Sequence, residues 1–273
     1  GKDRVRNTPL CESAIVGAAL GLSIGGMKAM MEMQFADFVT VGFNQIVNNL
    51  AKIHWRWGQN ADVVIRMPTG AGVSAGPFHS QSTEAWFFHV PGLKIVYPSS
   101  PEDAKGLLLA AFEDPNPVLF FEHKALYRSI SGSVPDAYYT IEIGKAKTVR
   151  SGNTISIITY GYGVHWALEI LERHPEISAD VIDLRTLMPL DKEAIFESVK
   201  KTGKVIILHE DTFTGGIGGE ISALISESCF EYLDAAVVRV AGLDTPIPFA
   251  TELEQNFLPI ARFEEQLLKL YNS

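Results

Sequence analysis

A histidine at the end of a glycine-rich stretch is the first candidate for chemistry. His79 lies in residues 68–81, which contain three glycines and two prolines between a strand-like run and a helix-like segment that starts at Ser82. Such a loop must adopt unusual backbone angles, and open α/β sheets bind ligands in loops at the carboxyl ends of their strands. Imidazole transfers protons near neutral pH. A surface connection with a hydrogen-bonded histidine is equally compatible with this stretch alone.

A carboxylate and an aromatic ring are two further candidates. Glu12 follows Thr8 and Pro9, which form a helix-start signal, and residues 12–25 carry almost no charge. A helix that is apolar on all sides is expected to be buried, so Glu12 is predicted to be an acid at the start of a buried helix. It could equally be a first-turn carboxylate that complements the helix dipole. Phe38, before another helix-like segment, is by itself compatible with a core residue.

The elements that position these residues alternate between strands and helices. The predicted strands are 29–33, 63–67, 94–97, 118–122, 154–159, 179–183, 204–209 and 236–240. The predicted helices are 12–25, 41–57, a segment from 82, 98–111, 164–174, 191–200, a segment that opens with residues 214–220 and ends at about 228, and 263–271. This order predicts an α/β fold with two doubly wound, mostly parallel sheets. We predict domains at 1–130 and 146–273, with residues 131–145 as a linker.

Composition limits the classes of partner. The chain has 273 residues, of which 47% are hydrophobic, and a net charge of −9, which argues against nucleic acid and anionic membranes. Its two cysteines, Cys11 and Cys229, are too far apart to suggest a disulfide framework or a zinc site. A reducing compartment is therefore expected, either bacterial cytoplasm, which we favour, or the mitochondrial matrix. The start at Gly1 suggests a fragment or a processed product.

A second glycine run, residues 214–220, is similar to a phosphate cradle. It does not match the G-x-G-x-x-G pattern and does not complete a mononucleotide-binding unit. We therefore interpret it as a close-packing or interface loop rather than an anion site.

Several motifs together resemble one family. They are Thr-Pro-Leu-Cys-Glu at 8–12, Gln-Phe-Ala-Asp-Phe at 34–38, His-Ser-Gln-Ser at 79–82, Pro-Gly-Leu-Lys-Ile-Val at 91–96 with Ala-Lys-Gly-Leu at 104–107, and Val-Ile-Asp-Leu-Arg-Thr at 181–186. With them the chain resembles the β subunit of thiamine-diphosphate-dependent 2-oxo acid dehydrogenases, and most the branched-chain (2-oxoisovalerate) type. The resemblance covers nearly the whole chain. It implies a thiamine pyrimidine-binding domain, with its first part missing here, followed by a transketolase C-terminal domain.

The resemblance also implies roles for individual residues. Glu12 would hydrogen-bond the N1′ nitrogen of the thiamine pyrimidine, Phe38 would lie on that ring, and His79 would act beside the substrate. The mammalian-type pattern has tyrosine at the position of Phe38, so this chain keeps the ring and lacks the hydroxyl. Gln34 is expected to support the cofactor pocket, and Ser80 and Gln81 are expected to orient their neighbours.

Metal sites are implied as well. The resemblance implies that the α half binds Mg²⁺ and the diphosphate, and the absence of a Gly-Asp-Gly triplet with a downstream asparagine agrees with this. A potassium site held mainly by backbone carbonyls is implied at Ala61, Val63, Ala111, Asp114 and Asn116, because hard cations prefer oxygen ligands. A plain Asp-Pro-Asn-Pro turn explains the same residues.

The implied activity is oxidative decarboxylation of branched-chain 2-oxo acids with acyl transfer to a lipoyl carrier. It would require an α subunit, or an α half fused upstream, in an α₂β₂-type assembly with a second copy of this chain and a lipoyl acyltransferase. Alternatives are a pyruvate or acetoin dehydrogenase β subunit, a ketol transferase or synthase with the same two domains, and a non-catalytic module that binds the acyltransferase.

Overall fold

The computed structural model describes residues 1–273 and contains two five-stranded sheets. The strands of the first sheet, in spatial order, are β1 (Ala29–Glu32), β2 (Val63–Thr69), β4 (Val118–His123), β3 (Lys94–Val96) and β8 (Thr186–Met188). Those of the second are β10 (Val238–Gly242), β9 (Val205–Thr212), β6 (Ile155–Thr159), β7 (Ala179–Asp183) and β5 (Lys147–Arg150). Only β8 and β5 pair antiparallel. The predicted α/β class with mostly parallel sheets is confirmed.

Eleven α-helices accompany the sheets. They are α1 (Glu12–Ile24), α2 (Val39–Asn44), α3 (Ile53–Trp57), α4 (Ala85–Phe88), α5 (Pro101–Glu113), α6 (Leu126–Ser129), α7 (Tyr162–Arg173), α8 (Lys192–Thr202), α9 (Gly218–Cys229), α10 (Thr251–Phe257) and α11 (Ile260–Tyr271). Short 3₁₀ segments occur at Ala36–Phe38 and Phe230–Tyr232, and a π-helical segment occurs at Gln45–Leu50. No helix is both long and apolar enough to span a membrane.

The centre of the first sheet consists of strands that are buried on both faces. β2 pairs with β1 on one side and with β4 on the other, in parallel register with Val64 opposite Val118. Strands buried on both faces read as continuous apolar runs. The strands predicted at 63–67 and 118–122 are therefore confirmed.

The second half of the chain contributes one strand to the first sheet. β8 lies antiparallel to β3, with Ile95 opposite Met188 and Val96 opposite Thr186. Leu187 in β8 is fully buried in the same hydrophobic cluster as Ile95. This strand covers an otherwise free edge and joins the two halves through one continuous core. Residues 130–146 contain no helix or strand, and the predicted domain and linker limits stay predictions.

The prediction that residues 12–25 form a helix is confirmed, but the prediction that this helix is buried is wrong for this chain. In α1 only Val16, Ala19 and Ser23 are buried, whereas Leu22 and Ile24 are 45% and 51% exposed. One face of α1 packs on α2 and the first sheet, and no element of this chain covers the other. Because the sequence is apolar around the whole helix, periodicity could not identify the exposed face.

Two other predicted helices differ in extent from the observed ones. The helix predicted at 41–57 is divided into α2, the π-helical segment Gln45–Leu50 and α3. The helix expected from Ser82 begins at Ala85 and lasts four residues. π-helical insertions often occur near functional sites, and this one directly follows the helix that starts after Phe38.

A turn glycine before β3 provides a test of its packing against the residues that connect the π-helical segment to α3. Gly92 has φ of +100°, and a Cβ atom there would overlap the carbonyl oxygen of Ala51. We expect Gly92→Ala to lower the free energy of unfolding by about 3 kcal/mol, because it combines backbone strain with a clash. Gly58→Ala is the matched control, since Gly58 has φ of +68° with no atom near its Cβ position. It should cost about 1 kcal/mol. Equal losses in urea unfolding would contradict the predicted clash.

Candidate functional site

Three neighbouring strands end at one edge of the first sheet. β1, β2 and β4 are adjacent and parallel, so the residues that follow them lie close together. Phe35 and Phe38 follow β1, the glycine-rich loop with His79 follows β2, and Lys124 follows β4. Ligands of open parallel sheets bind at this carboxyl edge.

His79 lies between two aromatic rings. Its ring centroid is 5.8 Å from that of Phe35 and 5.6 Å from that of Phe38, with interplanar angles of 77° and 78°. These near-perpendicular contacts are a favourable geometry for aromatic pairs and fix the plane of the imidazole. His79 and Phe38 are both half-buried, so each keeps a surface for a ligand. The structure thus brings together two residues that were selected separately from the sequence.

Glu12 lies in the first turn of α1, half-buried and without a hydrogen bond to its carboxylate. α1 packs closely on α2, where a Cβ atom on Gly42 would lie 3.4 Å from the carbonyl oxygen of Glu12. Phe38 precedes Gly42 by four residues, or about one helical turn. Glu12 and Phe38 therefore belong to the same packed pair of helices, and the Glu12 carboxylate has no partner within this chain.

The other predicted site residues have different environments. Gln34 is exposed and makes no hydrogen bond. Gln81 donates from its backbone N–H and its side-chain amide to Oδ1 of Asp37, at 3.1 and 3.0 Å. Ser80 is fully buried, but its hydroxyl has no hydrogen-bond partner. Gln81 therefore anchors the loop that carries His79, whereas the structure gives Gln34 no such contact.

Two buried glutamates from the second half hold the glycine-rich loop. Glu254 in α10 accepts hydrogen bonds from the backbone N–H groups of Gly72 and Ser74, at 2.9 and 3.0 Å. Glu210 in β9 accepts one from the backbone N–H of Ala71 at 2.6 Å. Consecutive N–H groups in such a turn form a concave anion site, which here is filled by side chains of the same protein. Neither glutamate is predictable from the sequence, because the residues around it carry no information about a loop more than 130 residues away.

Glu210 also connects the loop to the end of β4. Its Oε2 lies 2.6 Å from Nε2 of His123, and the Nδ1 of that histidine accepts the backbone N–H of Ala125 at 3.3 Å. Burial alone would raise the pKa of Glu210, but His123 and the donors from Ala71 and Ser82 outweigh burial and lower it. Glu210 is therefore ionised at neutral pH.

The pKa values of two neighbouring acids are raised, in contrast to that of Glu210. Glu84 is fully buried and accepts a hydrogen bond from the Tyr160 hydroxyl at 2.7 Å. Burial, followed by the charge of Asp211, raises the pKa of Glu84 to about 8. Burial likewise raises the pKa of Asp211 to about 7. Because these carboxyls have fewer donors than Glu210, they retain protons at a pH where it does not.

The residues of the predicted potassium site lie in adjacent segments. The backbone N–H of Ala61 donates to the carbonyl of Pro115 at 3.1 Å. Asp114 pairs with Lys94 and accepts from the backbone and side chain of Asn116, both at 2.9 Å. Both carboxylate oxygens of Asp114 are thus engaged within the protein. Val63 and Ala111 are buried beside this turn, and the potassium site stays a prediction.

The glycine run at 214–220 packs closely, in agreement with its interpretation as a packing loop. Cβ atoms on Gly216 and Gly218 would lie 2.5 and 2.7 Å from the ring of His209. Thr214 next to them donates to Asp244 from both its backbone N–H and its hydroxyl, at 2.8 and 2.7 Å.

Comparison with known proteins agrees with this architecture. Residues 1–129 match the family model described as "Transketolase, pyrimidine binding domain", and residues 144–262 match "Transketolase, C-terminal domain". A relative named 2-oxoisovalerate dehydrogenase subunit beta, from Bacillus subtilis, is 51% identical over 94% of this chain and 80% of its own length. This chain belongs to the transketolase-like family of thiamine-diphosphate-dependent enzymes.

Other relatives are also named as β subunits of 2-oxoisovalerate dehydrogenases or acetoin oxidoreductases. A mitochondrial 2-oxoisovalerate dehydrogenase subunit beta 2 from Arabidopsis thaliana is 48% identical over 92% of this chain and 72% of its own. The beta subunit of an acetoin:2,6-dichlorophenolindophenol oxidoreductase from Cupriavidus necator is 44% identical over 95% and 78%. A solved structure titled "Split gene transketolase, inactive beta4 tetramer" has a TM-score of 0.80 at 24% identity, covers 99% of this chain and 84% of its own, and supports the fold.

The residues at the carboxyl edge fit the pyrimidine end of the family's cofactor. A carboxylate without an internal partner, Glu12, starts the helix that packs on α2, and a half-buried aromatic ring, Phe38, directly precedes α2. This donor set suits a planar ring with a nitrogen to protonate. By contrast, no group of three acidic, histidine or cysteine side chains forms a metal-binding cluster.

The raised pKa of Glu84 predicts a pH-dependent stability. The folded chain binds a proton that the unfolded chain releases between about pH 4.5 and 8, so stability should fall as pH rises through this window. Relative to Glu84→Gln, the wild type should lose about 1 kcal/mol or more between pH 5 and pH 8. Glu227→Gln, at an exposed position, is the control and should follow the wild type. Parallel curves for Glu84→Gln and the wild type would contradict the assignment.

The glutamate contacts predict the mobility of the His79 loop. Glu254→Ala leaves the N–H groups of Gly72 and Ser74 without their acceptor and should cost about 2 kcal/mol. Hydrogen exchange of a peptide covering residues 70–82 should become faster. Glu252→Ala in the same helix turn removes an exposed carboxylate and should leave this peptide protected. Unchanged protection in Glu254→Ala would show that other contacts hold the loop.

Proposed function

We propose that this chain is the β half of a 2-oxo acid dehydrogenase that decarboxylates branched-chain 2-oxo acids and passes the acyl group to a lipoyl carrier. The observation that carries the proposal is the placement of His79 against Phe38 at the carboxyl edge, in a chain that is 51% identical to a 2-oxoisovalerate dehydrogenase β subunit. When bound, thiamine diphosphate supplies the nucleophile and the electron sink for decarboxylation.

Glu12 has the central task among the residues of this chain. Its carboxylate would hold a proton in a hydrogen bond to the pyrimidine nitrogen of the cofactor, and its free state in the chain supports this role. Phe38 offers a flat apolar wall for the same ring. No side chain of this chain competes for the Glu12 carboxylate, so the bond to the cofactor would cost no internal hydrogen bond.

His79 would act on the substrate side. Its ring is held by Phe35 and Phe38 and reaches the surface, which suits a group that exchanges protons with the reacting acyl group. Gln81, bound to Asp37, fixes the loop behind His79 and would act as a positioning residue. Gln34 is exposed, and its support of the cofactor would depend on contacts made in the assembly.

The diphosphate and Mg²⁺ would bind an α subunit or a fused α half, since no acidic metal-binding cluster is present among residues 1–273. We further propose an α₂β₂-type assembly with a second copy of this chain, and a lipoyl acyltransferase as acceptor. Potassium, held mainly by the backbone carbonyls of Ala61, Val63, Ala111, Asp114 and Asn116, would stabilise the turn in which Asp114 already pairs with Lys94. The named relatives support bacterial cytoplasm or the mitochondrial matrix as the compartment.

A second candidate is an acetoin-type dehydrogenase β subunit. It is favoured by the Cupriavidus relative, which is 44% identical over 95% of this chain, against 51% over 94% for the Bacillus 2-oxoisovalerate relative. Acetoin has no carboxylate, whereas 2-oxoisovalerate and pyruvate are 2-oxo acids. Rates measured with these three substrates would therefore separate the candidates.

Replacing the proposed acid tests the function directly. In an assembly with the α partner, Glu12→Gln should lower the decarboxylation rate by about 100-fold or more, because a positioned acid or base contributes about 10²–10⁴-fold. Size-exclusion chromatography should show an intact assembly. Glu220→Gln, also in the first turn of a helix but exposed, is the control and should retain activity. Normal turnover of Glu12→Gln would refute the assigned role.

A further inference from the structure

A half-buried lysine without a carboxylate in direct contact lies beside the candidate site. Lys124 donates one hydrogen bond, to the carbonyl of Gly70 at 2.8 Å, and no carboxylate lies within 4.0 Å of its ammonium. Burial lowers the pKa of Lys124 to about 8, although Asp37, Glu210 and Glu254 raise it from a distance. An ammonium has three donors, and a buried charge is costly without partners. Two of its donors therefore have no partner in the chain.

The carboxylates nearest to Lys124 are already committed elsewhere. Glu210 binds the loop and His123, Glu254 binds the loop, and Asp37 binds Gln81. None of these acids contacts the ammonium. Lys124 therefore has no carboxylate of this chain in direct contact, and its ammonium is available to an anion from outside the chain.

Next to Lys124 is a cavity of about 490 Å³ that could contain such a group. Gly72 and Val73 of the loop, Arg128 of α6 and Tyr162 of α7 line it together with Lys124. Arg128 is exposed and forms no ion pair, so the cavity has a second free cation at its outer side. A volume of this size is within the range of small-molecule sites.

The ring of Phe35 lies between Lys124 of the cavity and His79 of the candidate site. The ammonium of Lys124 lies 5.1 Å from the ring centroid of Phe35, and the same ring contacts His79 at 5.8 Å. The chain as a whole has a net charge of −9 and therefore repels an anionic substrate. Two cations at this position would offset that repulsion where the substrate enters.

We propose that this cavity is an entry subsite for the carboxylate of the 2-oxo acid, with Lys124 as its inner cation and Arg128 as its outer cation. The inference rests on the proposed function and adds residues to it. Lys124 acts before the chemical step, because an ammonium that stayed on the carboxylate would stabilise the group that must leave. Loss of the lysine should therefore raise KM and leave kcat nearly unchanged.

The test uses the assembled enzyme with an artificial dye as electron acceptor, so that no lipoyl carrier is required. Lys124→Met should raise the KM for 2-oxoisovalerate by about 10-fold to 100-fold, as expected for a hydrogen bond to a charged group, with kcat within about twofold. Lys124→Arg retains the charge and should recover most of the KM. Lys192→Met removes an exposed lysine of α8 and should resemble the wild type. An unchanged KM in Lys124→Met, or a fall in kcat alone, would overturn the proposal.

Two further measurements cover the remaining outcomes. Arg128→Met changes an exposed side chain that should not affect folding, and it should raise the same KM about threefold. With a lipoyl carrier present, the KM for the carrier should be equal in Lys124→Met and the wild type. A rise in the carrier KM without a rise in the acid KM would assign the cations to an acidic carrier and overturn the subsite.

A binding experiment separates failure of the subsite from failure of the proposed function. Isovalerate has the carboxylate and the branched chain but no 2-oxo group, so it can bind without reacting. Titration calorimetry should detect its binding to the wild-type assembly and a loss of at least 10-fold in affinity in Lys124→Met. If the assembly turned over no 2-oxo acid but still bound isovalerate through Lys124, only the proposed function would fail. Absence of isovalerate binding in an active enzyme would refute the subsite alone.

Discussion

The candidate site depends on hydrogen bonds between backbone N–H groups of one sheet's loop and carboxylates of the other half of the chain. The loop that carries His79 has positive φ angles at several positions, and a loop of this kind is not held by a regular ladder. Glu210 and Glu254 accept hydrogen bonds from its N–H groups, and the ionised carboxylate of Glu210 forms a stronger hydrogen bond than a neutral acceptor would. The loop is therefore held by both halves: Glu210 and Glu254 of the second half hold its first part, and Phe35, Phe38 and Asp37 of the first half hold the part with His79 and Gln81.

Burying these charges has consequences for the surrounding acids. Glu210 stays ionised because it has backbone, hydroxyl and imidazole partners, whereas Glu84 and Asp211 have too few donors and hold protons. One ionised acid thus makes its neighbours harder to ionise. The number of donors around each carboxyl therefore divides the cluster into an ionised group that holds the loop and neutral groups that fill the junction.

Much of the fold was predictable because it is local. The apolar runs of β2 and β4 and the Ser-Ser-Pro start of α5 report burial and capping within a few residues, and the structure confirms them. Phe38 and His79 are recognisable as site candidates from motifs rather than from periodicity, and their contact is seen only in the structure. Glu254 and β8 were missed because their roles depend on partners far away in the sequence, about which local patterns carry no information.

The environment of Lys124 could not be predicted from local sequence patterns either. In the sequence it follows a strand at the point where the pattern weakens toward the linker, which is typical of an exposed charged residue. Its burial arises only when the glycine loop, Phe35 and α7 meet at the carboxyl edge. The exposed apolar face of α1 is a related case, since the helix was interpreted correctly as apolar but its cover is not within this chain.

The two cases have a common physical meaning. A half-buried ammonium without a carboxylate partner is unfavourable in an isolated chain, and so is a half-covered apolar helix that starts with an unpaired acid, Glu12. Lys124 follows β4 at the edge where His79 lies, and α1 packs on the same sheet. In the proposed function each group gains a partner: Lys124 binds the substrate carboxylate, Glu12 binds the cofactor nitrogen, and the partner half covers α1. Groups left incomplete in this way mark the surface where the chemistry takes place, because a structure that satisfied them internally would have no free energy left to bind its ligands.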